Sequence, residues 1–236
     1  MTSPEIRVPS DLRDFDALYR SGAEPWGYSD RAVETLRHER VAAIVRALAP
    51  RRVLDLGCSL GQLTAHLAAL PAEVHAVDLS PTAVRRARER VPAATFGSGS
   101  ATRLPFAPGA FDVVVASDGL YSWHLDAAER AAALGEIHDA LAPGGHAVLT
   151  EHMRPARFAE FVAMIAASPL QIVDVRYFHD RPCYQFEGWL KAVRHTAAAR
   201  ALRRSRGVAR VLCALGRPFG AAGSRHVCVV ARRRAA

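Results

Sequence analysis

No run of apolar residues approaches the ~20 that a bilayer-spanning helix requires, so no transmembrane segment is expected in this chain. The first residues carry Glu5, Asp11 and Asp14 and no apolar stretch, which does not read as a secretory signal. Cysteine is scarce: Cys58, Cys183, Cys213 and Cys228 show no C-x-x-C spacing. That spacing argues against a zinc site and against a disulfide framework, and no metal is expected. Reduced thiols suit a cytoplasmic protein. The sequence has no internal repeats.

Acid is missing from one long stretch. Between Pro182 and Ala222 the single acid Glu187 stands against Lys191, Arg194, Arg200, Arg203, Arg204, Arg206, Arg210 and Arg217. This segment carries +7 of a net +8, and the rest of the chain is close to neutral. Such a segment suits an acidic partner (phosphate, nucleic acid, a carrier protein or a membrane surface), or it is a solvated arginine-rich helical face.

What is present points to a globular protein. The chain has 236 residues, half of them hydrophobic, enough for one domain over 1–236 with a sizeable core. Val53-Leu54-Asp55-Leu56 reads as a short buried strand, and Gln62 to Leu67 as the helix after it. Between them lies a turn with glycines at 57 and 61. Glycine there permits positive φ and lets a ligand approach without a Cβ in the way. The helix start leaves N–H groups aimed at whatever binds. About twenty residues on, Val74-His75-Ala76-Val77-Asp78 is a second apolar strand ending in an acid, which could accept hydrogen bonds from two ribose hydroxyls.

These pieces resemble a family. Asp55-x-Gly57-x-x-x-Gly61, then Asp78, then Leu104-Pro105-Phe106 leading to Phe111-Asp112-Val113-Val114-Val115, then Leu141-Ala142-Pro143-Gly144-Gly145, resemble the class I S-adenosylmethionine (SAM)-dependent methyltransferases in order and spacing over 26–152. Within that family, Gly57-Cys58-Ser59-Leu60-Gly61 and the upstream Pro25-Trp26-Gly27-Tyr28-Ser29 are similar to the nodulation-factor N-methyltransferases, which act on an amino sugar. The resemblance implies SAM as cofactor. It implies that Gly57 to Gly61 hold the methionine part and Asp78 the ribose, with Asp55, Leu79, Ser100, Ala101, Ser117 and Tyr28 around them. Ser100 stands where the family usually has an acid, and Ser59 where a glycine is common.

Along the chain, residues 1–24 read as an arm that Pro4 and Pro9 keep from an early helix. Asp30 or Ser29 can cap the next helix, whose face is Val33, Leu36, Val41, Ile44, Val45 and Leu48. Together 1–48 form an arm and lid helix. Ser80-Pro81 starts another helix. Further strands fall at 93–96, 112–117, 146–151, 171–178 and 226–231. A helix around Leu134, Ile137 and Leu141 breaks at Pro143-Gly144-Gly145, and another holds Phe158, Phe161, Val162 and Ile165. This alternation predicts an α/β Rossmann-like, doubly wound, seven-stranded and mostly parallel sheet. The family adds an antiparallel edge. The long gap at 180–224 is expected to be a basic helical insertion that caps the substrate.

Methyl transfer from a sulfonium needs the acceptor lone pair held in line, so positioning dominates. A base matters for a hydroxyl, or for an amine that arrives protonated. The candidates after strands four and five are Asp118, Tyr121, His124, Glu151 and His152; Asp118 could instead hold the cofactor's amino group. Trp26, Tyr28, Tyr121, Trp123, Tyr184 and Trp189 could wall a substrate pocket or sit beside the sulfonium, or simply pack. Arg37 either pairs with the cofactor carboxylate or lies on an exposed helix face. The expected activity is methylation of nitrogen or oxygen on a small metabolite, such as an amino sugar or natural-product intermediate. The alternatives are an RNA or carrier-protein-bound acceptor gripped by the basic segment, or a non-catalytic SAM-binding subunit. Nucleic acid is disfavoured because no aromatic-interleaved strand pattern is present.

Overall fold

In the computed structural model, residues 12–20, 22, 24–120 and 125–234 are described. Seven strands form one sheet: β1 (Arg52–Leu56), β2 (Glu73–Asp78), β3 (Thr95–Ser98), β4 (Phe111–Ser117), β5 (Leu141–His152), β6 (Gln171–Tyr177) and β7 (His226–Arg232). Their spatial order is β3-β2-β1-β4-β5-β7-β6. β1 to β5 run parallel, while β7 is antiparallel to both neighbours and lies between β5 and β6. The order reverses between β1 and β4, and a ligand crevice is expected at the carboxyl ends of those two strands.

Helices cover both faces, so the central strands bury apolar side chains on both sides rather than on one. Leu54, Val114, Leu149 and Val229 point into one core, with helices α5 (Ala127–Ala140) and α6 (Phe158–Ala166). Val53, Val113, Val115, Val148 and Val230 point into the other, with α2 (Ala32–Ala47) and α3 (Gln62–Leu67). The remaining helices are α1 (Leu12–Arg20), α4 (Pro81–Arg90), α7 (Arg181–Trp189), α8 (Ala197–Arg204) and α9 (Arg206–Gly216).

Three local expectations are corrected. The N-terminal arm contains a helix, α1, seated on the start of α4. Asp16 accepts from the Thr82 N–H at 3.0 Å, the Thr82 hydroxyl at 3.2 Å and the Ser80 hydroxyl. Arg86 donates to the Tyr19 and Gly22 carbonyls at the other end of α1. Neither Asp30 nor Ser29 caps α2, whose N-cap is Arg31 with no side-chain cap bond. Asp30 instead pairs with Arg204. The helix before β5 ends at Ala140, so Leu141 already belongs to the strand.

The buried stripe of α2 extends further than its apolar residues suggest. Glu34, Arg37 and His38 are buried with Val41, Ile44 and Val45. Counting back from Val41 by three and four reaches them, so they continue the same stripe toward the crevice. Arg37 is therefore not on an exposed face; it is 2% exposed.

Candidate active site

Two adjoining cavities occupy the crevice. The first is lined by Asp55, Gly57, Cys58, Ser59, Gln62, Asp78, Leu79, Ser100, Ala101, Ser117 and the arm residues Tyr19, Trp26 and Tyr28, among others. The second, about 480 Å³, is walled by Arg31, Glu34, Glu151, His152, Tyr184 and His226. Both touch Trp26, Tyr28 and Asp118, so these three mark the boundary between them.

The turn after β1 is built for a close ligand. The Gly57 and Cys58 N–H groups donate to the Val77 carbonyl at 2.8 and 3.0 Å, tying the turn to β2. Gly57 has φ +80°, and a Cβ there would meet no protein atom within 4 Å; its place is open cavity. Gly61 has φ +77° for a different reason: α4 packs on it, with Ala87 Cβ 3.3 Å from where its own Cβ would be. It shapes the turn without lining the cavity. Gln62, the first residue of α3, presents a buried side-chain amide whose oxygen and nitrogen both lack a protein partner.

Two buried carboxyls stand in this first cavity. Asp78 accepts from the Ser59 N–H at 2.8 Å and the Ser80 N–H at 2.9 Å. Burial nevertheless pushes it up to about 6, against the pull of those N–H groups. Asp55 accepts from the Thr64 hydroxyl at 2.6 Å, and burial pushes it up to about 7. Tyr19 closes over the turn, donating to Ser59 Oγ at 3.1 Å and accepting from the Trp26 indole at 2.9 Å.

The boundary is charged. Asp118 follows β4 with φ 59°, and its N–H donates to the Thr150 carbonyl at 2.9 Å. Arg37 lies 3.0 Å from its carboxylate and also holds Glu34 at 3.0 Å and Ser117 Oγ at 2.5 Å. His226 lies between Asp118, 3.4 Å from Nε2, and Asp180 on Nδ1. Burial alone would drive His226 down, but the two carboxylates push it up to about 9, and it is an imidazolium at neutral pH. Burial alone would raise Asp118; Arg37 and His226 hold it far below the usual carboxylate range. Glu34, flanked by Arg37, His226 and Arg31, falls to about 2. Tyr184 donates to Glu34 at 2.8 Å, under the Arg31 guanidinium. The buried charges are thus paired and hydrogen-bonded, the only condition under which they are tolerable.

Two histidines beside this cluster are neutral. His38 falls to about 3 through burial and the Arg37 charge, and its Nε2 lies 3.1 Å from Arg37 Nη2, so it accepts there. His152 falls to about 4, through enclosure by protein and the neighbouring His226 charge. Its ring stays open to the second cavity, 4.9 Å from Tyr184 and 4.8 Å from His226 between centroids.

The structure thus gathers Asp55, Gly57, Cys58, Ser59, Asp78, Leu79, Ser100, Ala101, Ser117, Asp118, Trp26 and Tyr28 around the first cavity, and His152, Glu151 and Tyr184 around the second. Trp189 lines neither and is 80% exposed. Tyr121, Trp123 and His124 lie outside the described residues. No metal-binding group of three His, Cys, Asp or Glu occurs among the described residues. Tyr19, Gln62, Asp180 and His226 belong to the site and were missed. His226 is directly opposite His152 in the β5–β7 register, a pairing that depends on β7 entering next to β5.

Known proteins similar to this chain include methyltransferases. A family model described as a methyltransferase domain matches residues 53–145. The chain is 38% identical over 166 residues to a demethylmenaquinone methyltransferase of Beutenbergia cavernae, covering 68% of this chain and 67% of that one. It is 31% identical over 128 residues to nodulation protein S of Rhizobium tropici, covering 53% of each. The N-methyltransferase NodS of Bradyrhizobium japonicum, solved with S-adenosyl-L-homocysteine, superposes with a TM-score of 0.62 at 18% identity, over 94% of this chain and 97% of that one. The chain spans about half the length of most of the curated relatives it matches.

Proposed function

This chain belongs to the class I SAM-dependent methyltransferases, and on that premise we propose that it methylates a nitrogen or oxygen of a small polar metabolite held in the second cavity. The observation that carries the reading is the shared boundary: the two cavities meet at Trp26, Tyr28 and the fixed carboxylate of Asp118.

SAM fits the first cavity by the chemistry of its donor set. The open space at Gly57 would admit its backbone-like tail, and the unpartnered Gln62 amide offers one donor and one acceptor for an amino-acid group. Asp78 would take the ribose hydroxyls on the lone pairs its two N–H donors leave free. When bound, SAM supplies an electrophilic methyl group on a positively charged sulfur.

The chain's own residues do the rest. Asp118 stays ionised at any working pH, so it orients an N–H or O–H of the acceptor and is too weak a base to hold a proton. His152 is unprotonated at neutral pH and open to the second cavity, so a ring nitrogen can accept a hydrogen bond from an incoming amine or hydroxyl. Held near 4, it is too weak a base to keep the proton, which leaves to solvent. Arg37 and His226 keep Asp118 from turning away. Tyr19 and Trp26 shield the glycine turn from water. The charged walls of the second cavity (Arg31, Glu34, Glu151) favour a polar acceptor over a greasy one.

Incubation with methyl-labelled SAM and a panel of amino sugars, small amines and alcohols tests this. Label should pass to at least one amine or hydroxyl class. If the chain binds the cofactor yet releases no S-adenosylhomocysteine with any of them, the reading is wrong.

A further inference from the structure

Both cavities are accounted for above, but the outer surface of the 182–222 segment is not. Seven large hydrophobic side chains are exposed among the described residues, and six of them lie here: Trp189, Val193, Leu202, Val211, Leu215 and Phe219. None lines either cavity. On α9 the arrangement is regular. Ala209, Cys213 and Gly216 are buried on the inner side. Val211 and Leu215, four residues apart, stand on the outer side at 62% and 59% exposure, and Phe219 follows at 67%.

Cations flank this apolar face. Arg204 and Arg206 are already held by Asp30 and Glu39. Lys191, Arg194, Arg200, Arg203, Arg210 and Arg217 have no acidic partner among the described residues. A surface that is apolar and cationic together, on helices too short to span a bilayer, has the composition of an interfacial binder. We propose that this face docks on an anionic lipid bilayer, with Val211, Leu215 and Phe219 entering the headgroup boundary and the arginines pairing with lipid phosphates.

The other occupants fit less well. A second copy of the chain would bring two strongly positive segments together. RNA would satisfy the arginines and could stack on Trp189 and Phe219, but it would leave the aliphatic Val193, Leu202, Val211 and Leu215 with nothing to cover them.

Sedimentation of the full chain with vesicles tests the proposal. It should pellet with phosphatidylcholine–phosphatidylglycerol vesicles and stay in solution with phosphatidylcholine alone. Arg210→Ser and Arg217→Ser should each weaken partition about five-fold, and added salt should weaken it further. The double change Val211→Ser with Leu215→Ser should reduce it at least about ten-fold. All four substitutions sit on exposed positions, so S-adenosylhomocysteine affinity and unfolding midpoint should stay unchanged. Equal binding to neutral vesicles, no binding to either, or partition indifferent to Val211 and Leu215 would overturn the proposal. So would concentration-dependent dimerisation or RNA binding lost in the same variants.

Discussion

Asp78 is buried and Asp118 largely so, yet their surroundings drive the two carboxyls in opposite directions. Asp118 has cations on two sides and stays ionised. Asp78 has only neutral N–H partners and sits near 6. Ribose hydroxyls donating to its charged form would pull it back down, so cofactor binding should release a proton near pH 6. Affinity should accordingly tighten as pH rises through that value. Calorimetry in buffers of differing ionisation enthalpy reads the proton directly, and Asp78→Asn should abolish it while weakening S-adenosylhomocysteine binding by about ten-fold or more. At Gly57 an alanine would occupy open cavity and face positive φ at once. Gly57→Ala should cost roughly 1 kcal/mol of stability and disproportionately more in cofactor affinity, measured by denaturation and calorimetry on the same preparation. The glycine turn and Asp78 were legible because their function is local: a backbone angle, and an acid at a strand end. Gln62 was equally local, at the first turn of α3, but an amide at a helix start carries no signal until its partners can be counted.

The elements differ in how much their own sequence reveals. β1 and β4 announce themselves as continuous apolar runs, and the alternation of Val53 with Leu54 onto opposite cores follows from the strand period. α2 conceals three of its ten buried residues, since Glu34, Arg37 and His38 read as solvent residues until one sees that they continue the spacing of Val41. α1 is concealed more fully. Its nine residues gain stability from contacts with α4, which lies far along the chain, and a helix so short is marginal alone. Asp16 supplies that link by satisfying the Thr82 N–H, which has no partner within the first turn of α4. Asp16→Ala should therefore lower stability by about 1–2 kcal/mol. It should also weaken S-adenosylhomocysteine binding several-fold, because Tyr19 sits on the same helix. A stability loss without any change in affinity would separate α1 from the site.

Across the whole molecule, the buried ionisable groups set how stability varies with pH. His226 is held near 9 in the fold against 6.5 in its ordinary state. Its contribution is complete below about pH 6.5 and is lost as pH rises through 9. Asp55 and Asp78 act in the same direction across a lower interval: the unfolded chain gives up their protons near pH 4, the folded chain only at 6 to 7. Asp16 and Glu34, both near 2, oppose them and destabilise the fold as pH falls below their ordinary values. His38 and His152, held near 3 and 4, also oppose them, because the unfolded chain protonates both as pH falls below 6.5. Urea midpoints of the ligand-free chain should thus peak between about pH 5 and 7. His226→Gln should flatten the alkaline limb and lower the whole curve, because Asp118 and Asp180 would lose their shared cation. The seven-strand count and parallel order were readable from the β–α alternation, whereas this charge cluster was not. It joins α2, β4, α7 and β7, four segments that only the closed sheet brings together. That closure has a consequence for synthesis on the ribosome. β7 is intercalated between β5 and β6 but is translated after both. A nascent chain halted within 180–224 would hold two raw sheet margins apart, each with unpaired backbone groups that invite mispairing. The last strand to emerge both seals that gap and delivers the imidazolium.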